Sequence, residues 1–292
     1  MRLTDLIIEG TRTLSALYPE REAREMVYAT LEKLLGTNRH THILEPYYKV
    51  TDEDILQVRE AFSRMASSVP LQYVLKEAWF YGRKFNVSPD VLIPRPETAE
   101  LVAWVLQMAD RDKSLRVLDI GTGSGCIALA LKKAAPRWQV TGVDISQEAL
   151  EVAKENALRN HVAVNWLQLD ILSGIADNLL PISDVIISNP PYICDSERKD
   201  MAARVLDYEP HSALFVPDSD PLLFYRRIAT LVNLSATRGG DPQAQPIYLF
   251  FEINEAYGDA VCDMLRGMGY MDVQLKNDIY GKPRMVFGAV AR

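Results

Sequence analysis

The sequence predicts an α/β protein: a doubly wound, mostly parallel sheet of seven strands with an antiparallel last strand, preceded by a small helical domain and a linking β-hairpin. Three observations carry this. From residue 116 onward, short apolar runs alternate with helical patterns, as βαβ units do. A glycine-rich turn follows the first of these runs. Before residue 66 the apolar residues recur at helical spacing instead.

In chain order, Leu3, Leu6 and Ile7, then Leu14 and Leu17, then Met26, Val27, Leu31, Leu34 and Leu35 mark one helical face. Tyr18-Pro19 divides the pattern into two helices, because the residue before a proline disfavours helix. A third helix begins after Thr51, which reads as an N-cap with Asp54 in the first turn, and runs to about residue 65. This region is either a partner-recognition module or a bundle that only packs on the main domain. No unusual surface residue stands out to favour the first.

Ala78-Trp79-Phe80-Tyr81-Gly82-Arg83-Lys84-Phe85-Asn86-Val87 reads as two short strands around a Gly82 turn. Its aromatics are expected in packing rather than in a base-stacking platform. Ile93-Pro94-Arg95-Pro96-Glu97-Thr98 then opens a helix to about residue 108, with prolines stiffening the entry and an acid in the first turn. That segment is a punctuated helix start or a rigid loop holding Arg95 near a ligand, and residue type leaves both open. The domains expected are 1–75, a helical bundle for substrate recognition; 76–92, the hairpin linker; and 93–292, the main domain.

Strands are expected at 116–120, 139–145, 164–170, 183–189, 247–253, 270–276 and 284–290. Helices fall at 127–135, after Ser146, at 221–234 and at 255–268, with a loop at 238–242. The last two strands have too few residues between them for a crossover helix, so they should pair antiparallel.

Bulk properties bound the function. The 292 residues carry a net charge of −7, which argues against a broad nucleic-acid surface. Cys126, Cys194 and Cys262 are odd in number and scattered, so neither a disulfide framework nor a zinc site is expected, and a reducing cytoplasm is. The N-terminus does not read as a signal peptide, and no apolar run reaches the ~20 residues of a membrane span.

Two stretches carry chemistry. Asp119-Ile120-Gly121-Thr122-Gly123-Ser124-Gly125 joins the first main-domain strand to its helix, and its glycines let backbone approach a ligand. The dinucleotide fingerprint wants its third glycine where Cys126 stands. Asp119 would repel a pyrophosphate but suits a ligand bearing an ammonium and a sulfonium, which is S-adenosylmethionine. Asp144, ending the second strand, is placed to accept from ribose hydroxyls or to cap the next helix. Asp170, ending the third, is a turn acid or an acceptor for the adenine amino group. The second stretch is Ser188-Asn189-Pro190-Pro191-Tyr192, at the tip of the fourth strand. The prolines end the strand and supply no N–H. The site therefore offers acceptors, the Asn189 side-chain oxygen and nearby carbonyls, with Tyr192 as a flat wall. It suits a substrate arriving as an –NH2 donor. The polar run 193–207 that follows is a solvated loop or a lid over the site.

On these residues the chain resembles the N5-glutamine methyltransferases of peptide-chain release factors. The glycine loop looks like the family's cofactor loop, and Asn189-Pro190-Pro191-Tyr192 like its signature tetrapeptide. Pro70-Leu71-Gln72-Tyr73, Leu92-Ile93-Pro94-Arg95-Pro96-Glu97-Thr98, Glu209-Pro210-His211-Ser212-Ala213-Leu214 and Gly281-Lys282-Pro283-Arg284 also look like family segments. One departure is Ile171, where many members carry an aromatic residue.

The resemblance implies a class I methyltransferase sheet over 93–292 and S-adenosylmethionine as donor, with S-adenosylhomocysteine as product. It implies a Gly-Gly-Gln loop as substrate; a monomer in the cytoplasm, without direct contact with nucleic acid or membrane, is expected. The cofactor contacts expected are Asp119, Gly121, Thr122, Gly123, Ser124, Gly125, Asp144, Asp170, Ile171 and Asn189. Asn189, Pro190 and Tyr192 are expected at the chemistry, and Asn189, Pro190, Pro191, Tyr192 and Arg95 at the substrate, with no metal. Rival readings are a ribosomal-protein glutamine as substrate, an adenine-N6 methyltransferase, which the acidic composition disfavours, and a dinucleotide oxidoreductase, which Asp119 and Cys126 disfavour.

Overall fold

The computed structural model describes residues 1–238 and 245–292. The chain divides into two compact units, Met1–Glu77 with Ala202–Tyr208, and Ala78–Met201 with Glu209–Arg292.

In the first unit, α1 (Leu3–Leu14), α2 (Glu20–Leu35) and α4 (Asp52–Ala66) are the three expected helices, joined by two short ones, α3 (Thr41–Leu44) and α5 (Leu71–Leu75). The break at Tyr18-Pro19 lies where expected, and Pro19 becomes the N-cap of α2. Thr51 caps α4 by accepting from the Asp54 N–H at 3.2 Å. Leu6, Leu14, Val27, Leu31, Val58 and Met65 close over a shared core. Gly10 is required there: a Cβ would lie 2.4 Å from the Phe62 ring, so α1 and α4 approach more closely than any side chain allows. The segment 202–208 holds a further helix, α10 (Ala203–Leu206). It is tied into this unit by Arg204 on Glu22 at 3.3 Å and by the Tyr208 hydroxyl, which donates to the Ser67 carbonyl at 2.8 Å.

The second unit begins inside the hairpin of β1 (Glu77–Phe80) and β2 (Arg83–Asn86), at Ala78. Tyr81 and Gly82 both take positive φ, the backbone of a two-residue hairpin turn. Next come α6 (Pro96–Met108), β3 (Arg116–Ile120), α7 (Cys126–Ala134), β4 (Gln139–Asp144), α8 (Gln147–Asn160), β5 (Asn165–Gln168), the short α9 (Ala176–Leu179) and β6 (Val185–Ser188). Two short strands follow, β7 (Ile193–Cys194) and β8 (Phe215–Val216). The chain closes with α11 (Leu223–Arg238), β9 (Ile247–Glu252), α12 (Gly258–Gly267), β10 (Met271–Asn277) and β11 (Pro283–Val290). Of the loop expected at 238–242, residue 238 still belongs to α11 and the rest lies outside the described residues.

The main sheet has the order β10-β11-β9-β6-β3-β4-β5. β3, β4, β5, β6 and β9 run parallel, and β11 is antiparallel to both of its neighbours. Alternate strand residues face opposite helical layers. Val117, Val185, Ile187 and Phe250 pack toward α6 and α7; Leu118, Ile186, Leu249 and Phe251 pack toward α11 and α12. Burial on both faces is why these strands read as continuous apolar runs. The Trp104 ring of α6 meets Phe250 edge-on at 5.5 Å and anchors that helix over β9. Successive connections lead outward in opposite directions from the β3–β6 pair. The crevice beyond its carboxyl ends is the switch point at which such sheets bind ligands.

Candidate active site

The carboxyl ends of β3, β4 and β6 open onto a cavity of about 370 Å3. Its walls include Gly121, Thr122, Gly123, Ser124, Asp144, Asp170, Ile171, Asn189, Pro190 and Pro191. The two stretches singled out from sequence therefore meet in one place.

The glycine loop is held open from below. Gly121, Gly123 and Gly125 have φ of 72°, 52° and 77°, the left-handed region that glycine tolerates best. At Gly123 a Cβ would meet no protein atom within 4 Å, so the space beside that backbone is free for a ligand. Gly125 is packed instead: a Cβ would sit 2.9 Å from the Trp166 ring. The buried Asn156 donates to the Ser124 carbonyl at 2.9 Å and pairs with the Asn86 backbone, tying the loop to β2.

Asp119 occupies a different place from the one its sequence position suggests. It is 0% exposed and is not among the cavity walls. Its Oδ2 accepts from the Thr122 hydroxyl at 2.6 Å and from the Ala128 N–H at 3.1 Å, so it braces the loop and the first turn of α7. Its Oδ1 is buried with no partner. Burial pushes the carboxyl up to about 7, with Asp144's charge adding to the rise and the Thr122 and Ala128 hydrogen bonds opposing it.

Asp144 does line the cavity. Its Oδ2 accepts from the Gly123 N–H at 2.8 Å and its Oδ1 from the Ser146 N–H at 3.0 Å. The helix N-cap is Ser146 rather than Asp144. Asp170 is a turn acid, its Oδ1 accepting from the Leu172 N–H at 2.8 Å, and it also lines the cavity. Beside it, Ile145 is 57% exposed and Leu172 42% exposed, and both are cavity walls. Apolar side chains left open there fit a flat heterocycle.

At the strand tip, Asn189 is half-buried and its Nδ2 donates to the Thr98 hydroxyl at 3.3 Å. Thr98 donates in turn to Glu252 Oε2 at 2.6 Å. Tyr192 is not a cavity wall: its ring packs on the core beside α11, and its hydroxyl donates to Glu252 Oε1 at 3.3 Å. Burial raises that hydroxyl's pKa, and Glu252's charge raises it further. The tetrapeptide backbone is pinned by the Asn254 side chain, which donates to the Tyr192 carbonyl at 3.2 Å. Tyr192 and Ile193 N–H groups donate to the Leu214 carbonyl at 3.2 and 2.9 Å.

Arg95 lines the cavity but is not an unpaired cation. It pairs with Glu209, which is 4% exposed and also accepts from the Ile93 N–H at 3.2 Å. Residues 195–200 form a 3-10 turn in which Glu197 accepts from the Cys194 N–H at 2.7 Å, and Arg198 lies 3.9 Å over the Phe215 ring. Sequence reasoning singled out neither Thr98, Glu209 nor Glu252 for a role of its own. The one available signal was an acid closing the fifth main-domain strand beside the fourth.

Comparison with known proteins agrees with this geometry. The Methyltransferase small domain matches residues 98–213, and the PrmC N-terminal domain matches 5–75. A release factor glutamine methyltransferase of Flavobacterium psychrophilum is 37% identical over 289 residues, covering 96% of this chain and 98% of its own. One from Bacteroides thetaiotaomicron is 40% identical over 283 residues, covering 94% and 95%. The chain belongs to the release factor glutamine methyltransferase family. A Pyrococcus furiosus methyltransferase of known structure superposes with a TM-score of 0.52 at 16% identity, over 79% of this chain and 98% of that one, and shares the fold. S-adenosylmethionine is the cofactor that this family assignment brings. The residues present fit it: Asp144 lines the cavity as an acceptor for hydroxyls, Ile145 and Leu172 line it for a flat ring, and behind the glycine loop one Asp119 carboxylate oxygen is left without a partner.

Proposed function

We propose that this protein transfers a methyl group from S-adenosylmethionine to the side-chain amide nitrogen, N5, of the glutamine in the Gly-Gly-Gln motif of peptide-chain release factors. The observation that carries the reading is the state of Asn189. Its Nδ2 is committed to Thr98, and its Oδ1 has no hydrogen-bond partner among the described residues and is not sealed in the core. Beside it, Pro190 and Pro191 offer carbonyls and no N–H. A primary amide brings two N–H donors to a wall of acceptors, and its nitrogen face is then presented to the donor pocket.

An amide nitrogen is a weak nucleophile, because its lone pair is shared with the carbonyl. Alignment is therefore what the protein must supply. When bound, the cofactor supplies an electrophilic methyl group on a sulfonium. Gly121 and Gly123 would let backbone close on it, Asp144 would accept from its hydroxyls, and the Asp119 carboxylate behind the loop would offset its positive charge. Asn189 Oδ1 and the Pro190 carbonyl hold the incoming amide, with Pro191 beside them. As the N–CH3 bond would form, the S–CH3 bond would break and leave a neutral thioether, and the positive charge would depart with one of the two amide protons, released to solvent.

The same reading assigns residues 1–75 to gripping the release factor, 76–92 to linking, and 93–292 to catalysis. It takes the protein as a monomer in the cytoplasm, working without direct nucleic-acid contact. The net charge of −7 and three free, buried cysteines support this, and no helix among the described residues is long and apolar enough to cross a membrane. Incubation with labelled S-adenosylmethionine and either release factors, ribosomal protein or bare DNA tests it. Label on the Gly-Gly-Gln glutamine is expected. Label on DNA, or on a ribosomal protein alone, would overturn it.

A further inference from the structure

Glu252 ends β9 with 1% of its surface exposed, on the strand next to the one that carries Asn189. In the sheet register Phe251 lies opposite Ser188, so Glu252 and Asn189 leave the two strands at the same level. A carboxylate buried this deeply needs internal partners. Glu252 has two hydroxyl donors, Thr98 on Oε2 at 2.6 Å and Tyr192 on Oε1 at 3.3 Å. Burial raises its pKa, while Thr98, Arg284 and Tyr192 hold it down and Glu97 opposes them.

The order of these bonds fixes a direction. A threonine hydroxyl has one proton to give. Once that proton goes to Glu252, the Thr98 oxygen can only accept. Its remaining neighbour is the Asn189 carboxamide, which must then present Nδ2, as it does at 3.3 Å. Rotation of that carboxamide by half a turn would set two acceptors against each other. The oxygen end is therefore the one left for the cavity. Thr98 is placed for this because it stands in the first turn of α6, which Trp104 packs over Phe250 on the same strand as Glu252.

We propose that Glu252, acting through the Thr98 hydroxyl, is a positioning residue that locks the Asn189 carboxamide with its oxygen toward the amide substrate. The inference rests on the reading that the substrate is a primary amide, and it adds to that reading the device that selects it. A site whose asparagine could turn would meet an amide carbonyl as readily as an amide –NH2. A locked one accepts only the nitrogen end.

Glu252→Gln keeps the shape and breaks the lock. The new amide can donate to Thr98, releasing the hydroxyl proton toward Asn189 Oδ1. Turnover on a Gly-Gly-Gln release factor should fall at least tenfold, while the Kd for S-adenosylmethionine stays within about threefold. Thr98→Val should lose a similar factor, and Thr98→Ser, which keeps the hydroxyl, should retain activity within about threefold. In an Asn189→Ala background, Glu252→Gln should cost nothing further, because there is no carboxamide left to orient. Folded Glu252→Gln enzyme with wild-type turnover would overturn the proposal, and so would equal activities for Thr98→Val and Thr98→Ser, or a full additional loss in the double variant. If Glu252→Gln does not fold, the Thr98 pair decides the matter. Wild-type enzyme that leaves glutamine unlabelled would overturn the substrate reading instead, and that is read without any variant.

Discussion

The two ends of the cavity handle buried charge in opposite ways. At the strand tip, Glu252 has both oxygens satisfied inside the protein, and the chain of bonds through Thr98 ends in one accessible acceptor on Asn189. At the glycine loop, Asp119 has one oxygen satisfied and the other buried without a partner. The first arrangement is complete before any ligand arrives and serves to orient. The second is incomplete, and under the proposed function the charge that offsets it is the cation that the cofactor brings. The chemical step should therefore depend on the strand tip, and affinity for the methyl donor on the loop.

The largest effect expected is at the strand tip. Asn189→Ala should cost roughly 2–4 kcal/mol of transition-state stabilisation, read as kcat/KM, the scale of losing one preorganised polar contact. The Kd for S-adenosylmethionine should change far less. Equal losses in both would erase the distinction between the two ends.

A slightly smaller effect should follow at the loop. Gly125→Ala imposes a left-handed conformation on a residue with a Cβ and drives that carbon within 2.9 Å of Trp166. Strain and overpacking together should lower stability by about 2–3 kcal/mol, seen in chemical denaturation. Gly123→Ala shares the strain without the clash and should cost less stability, while weakening the methyl donor.

The third prediction concerns pH. Asp119 titrates near 7 in the free protein because burial raises it. Below pH 7 it is protonated, and a cationic ligand must displace that proton to pair with it. Affinity for S-adenosylmethionine should thus fall about tenfold between pH 7.5 and pH 6, and Asp119→Asn should flatten the profile. The stability of the free protein runs the other way. The protonated, buried carboxyl favours folding fully below its ordinary pKa near 4, and that contribution is lost as pH rises through 7. Thermal melts of wild type and Asp119→Asn should converge at low pH. A cofactor affinity that is flat with pH would remove the loop's unsatisfied charge from the account.

The smallest effect lies away from both ends. Thr51→Ala removes the cap of α4 and should lower stability by about 1 kcal/mol, with cofactor affinity unchanged in calorimetry.

Which of these features the sequence exposes follows from how local their causes are. The helices of the first unit, the hairpin at Gly82, the strand at 116–120 and the glycine loop are each set by neighbouring residues, through apolar spacing, a proline or a turn glycine. The antiparallel last strand follows from the short connection before it. Asp119 shows the limit: its place before the loop marks it as important, but its direction depends on α7 folding back to present the Ala128 N–H. Glu252 lies still further from local reach, since Thr98 is 154 residues away in the chain and only the completed sheet brings them together. Tyr192 and Arg95 look free in sequence for the same reason. Their partners, Glu252 and Glu209, are distant acids.

The most direct test is a crystal structure of the protein with S-adenosylhomocysteine and a Gly-Gly-Gln peptide. The account predicts the nucleoside against the glycine loop and Asp144, Asn189 Nδ2 still on Thr98, and the glutamine amide nitrogen within hydrogen-bond distance of Asn189 Oδ1. A glutamine bound elsewhere, or an Asn189 side chain turned away from both Thr98 and the peptide, would contradict it.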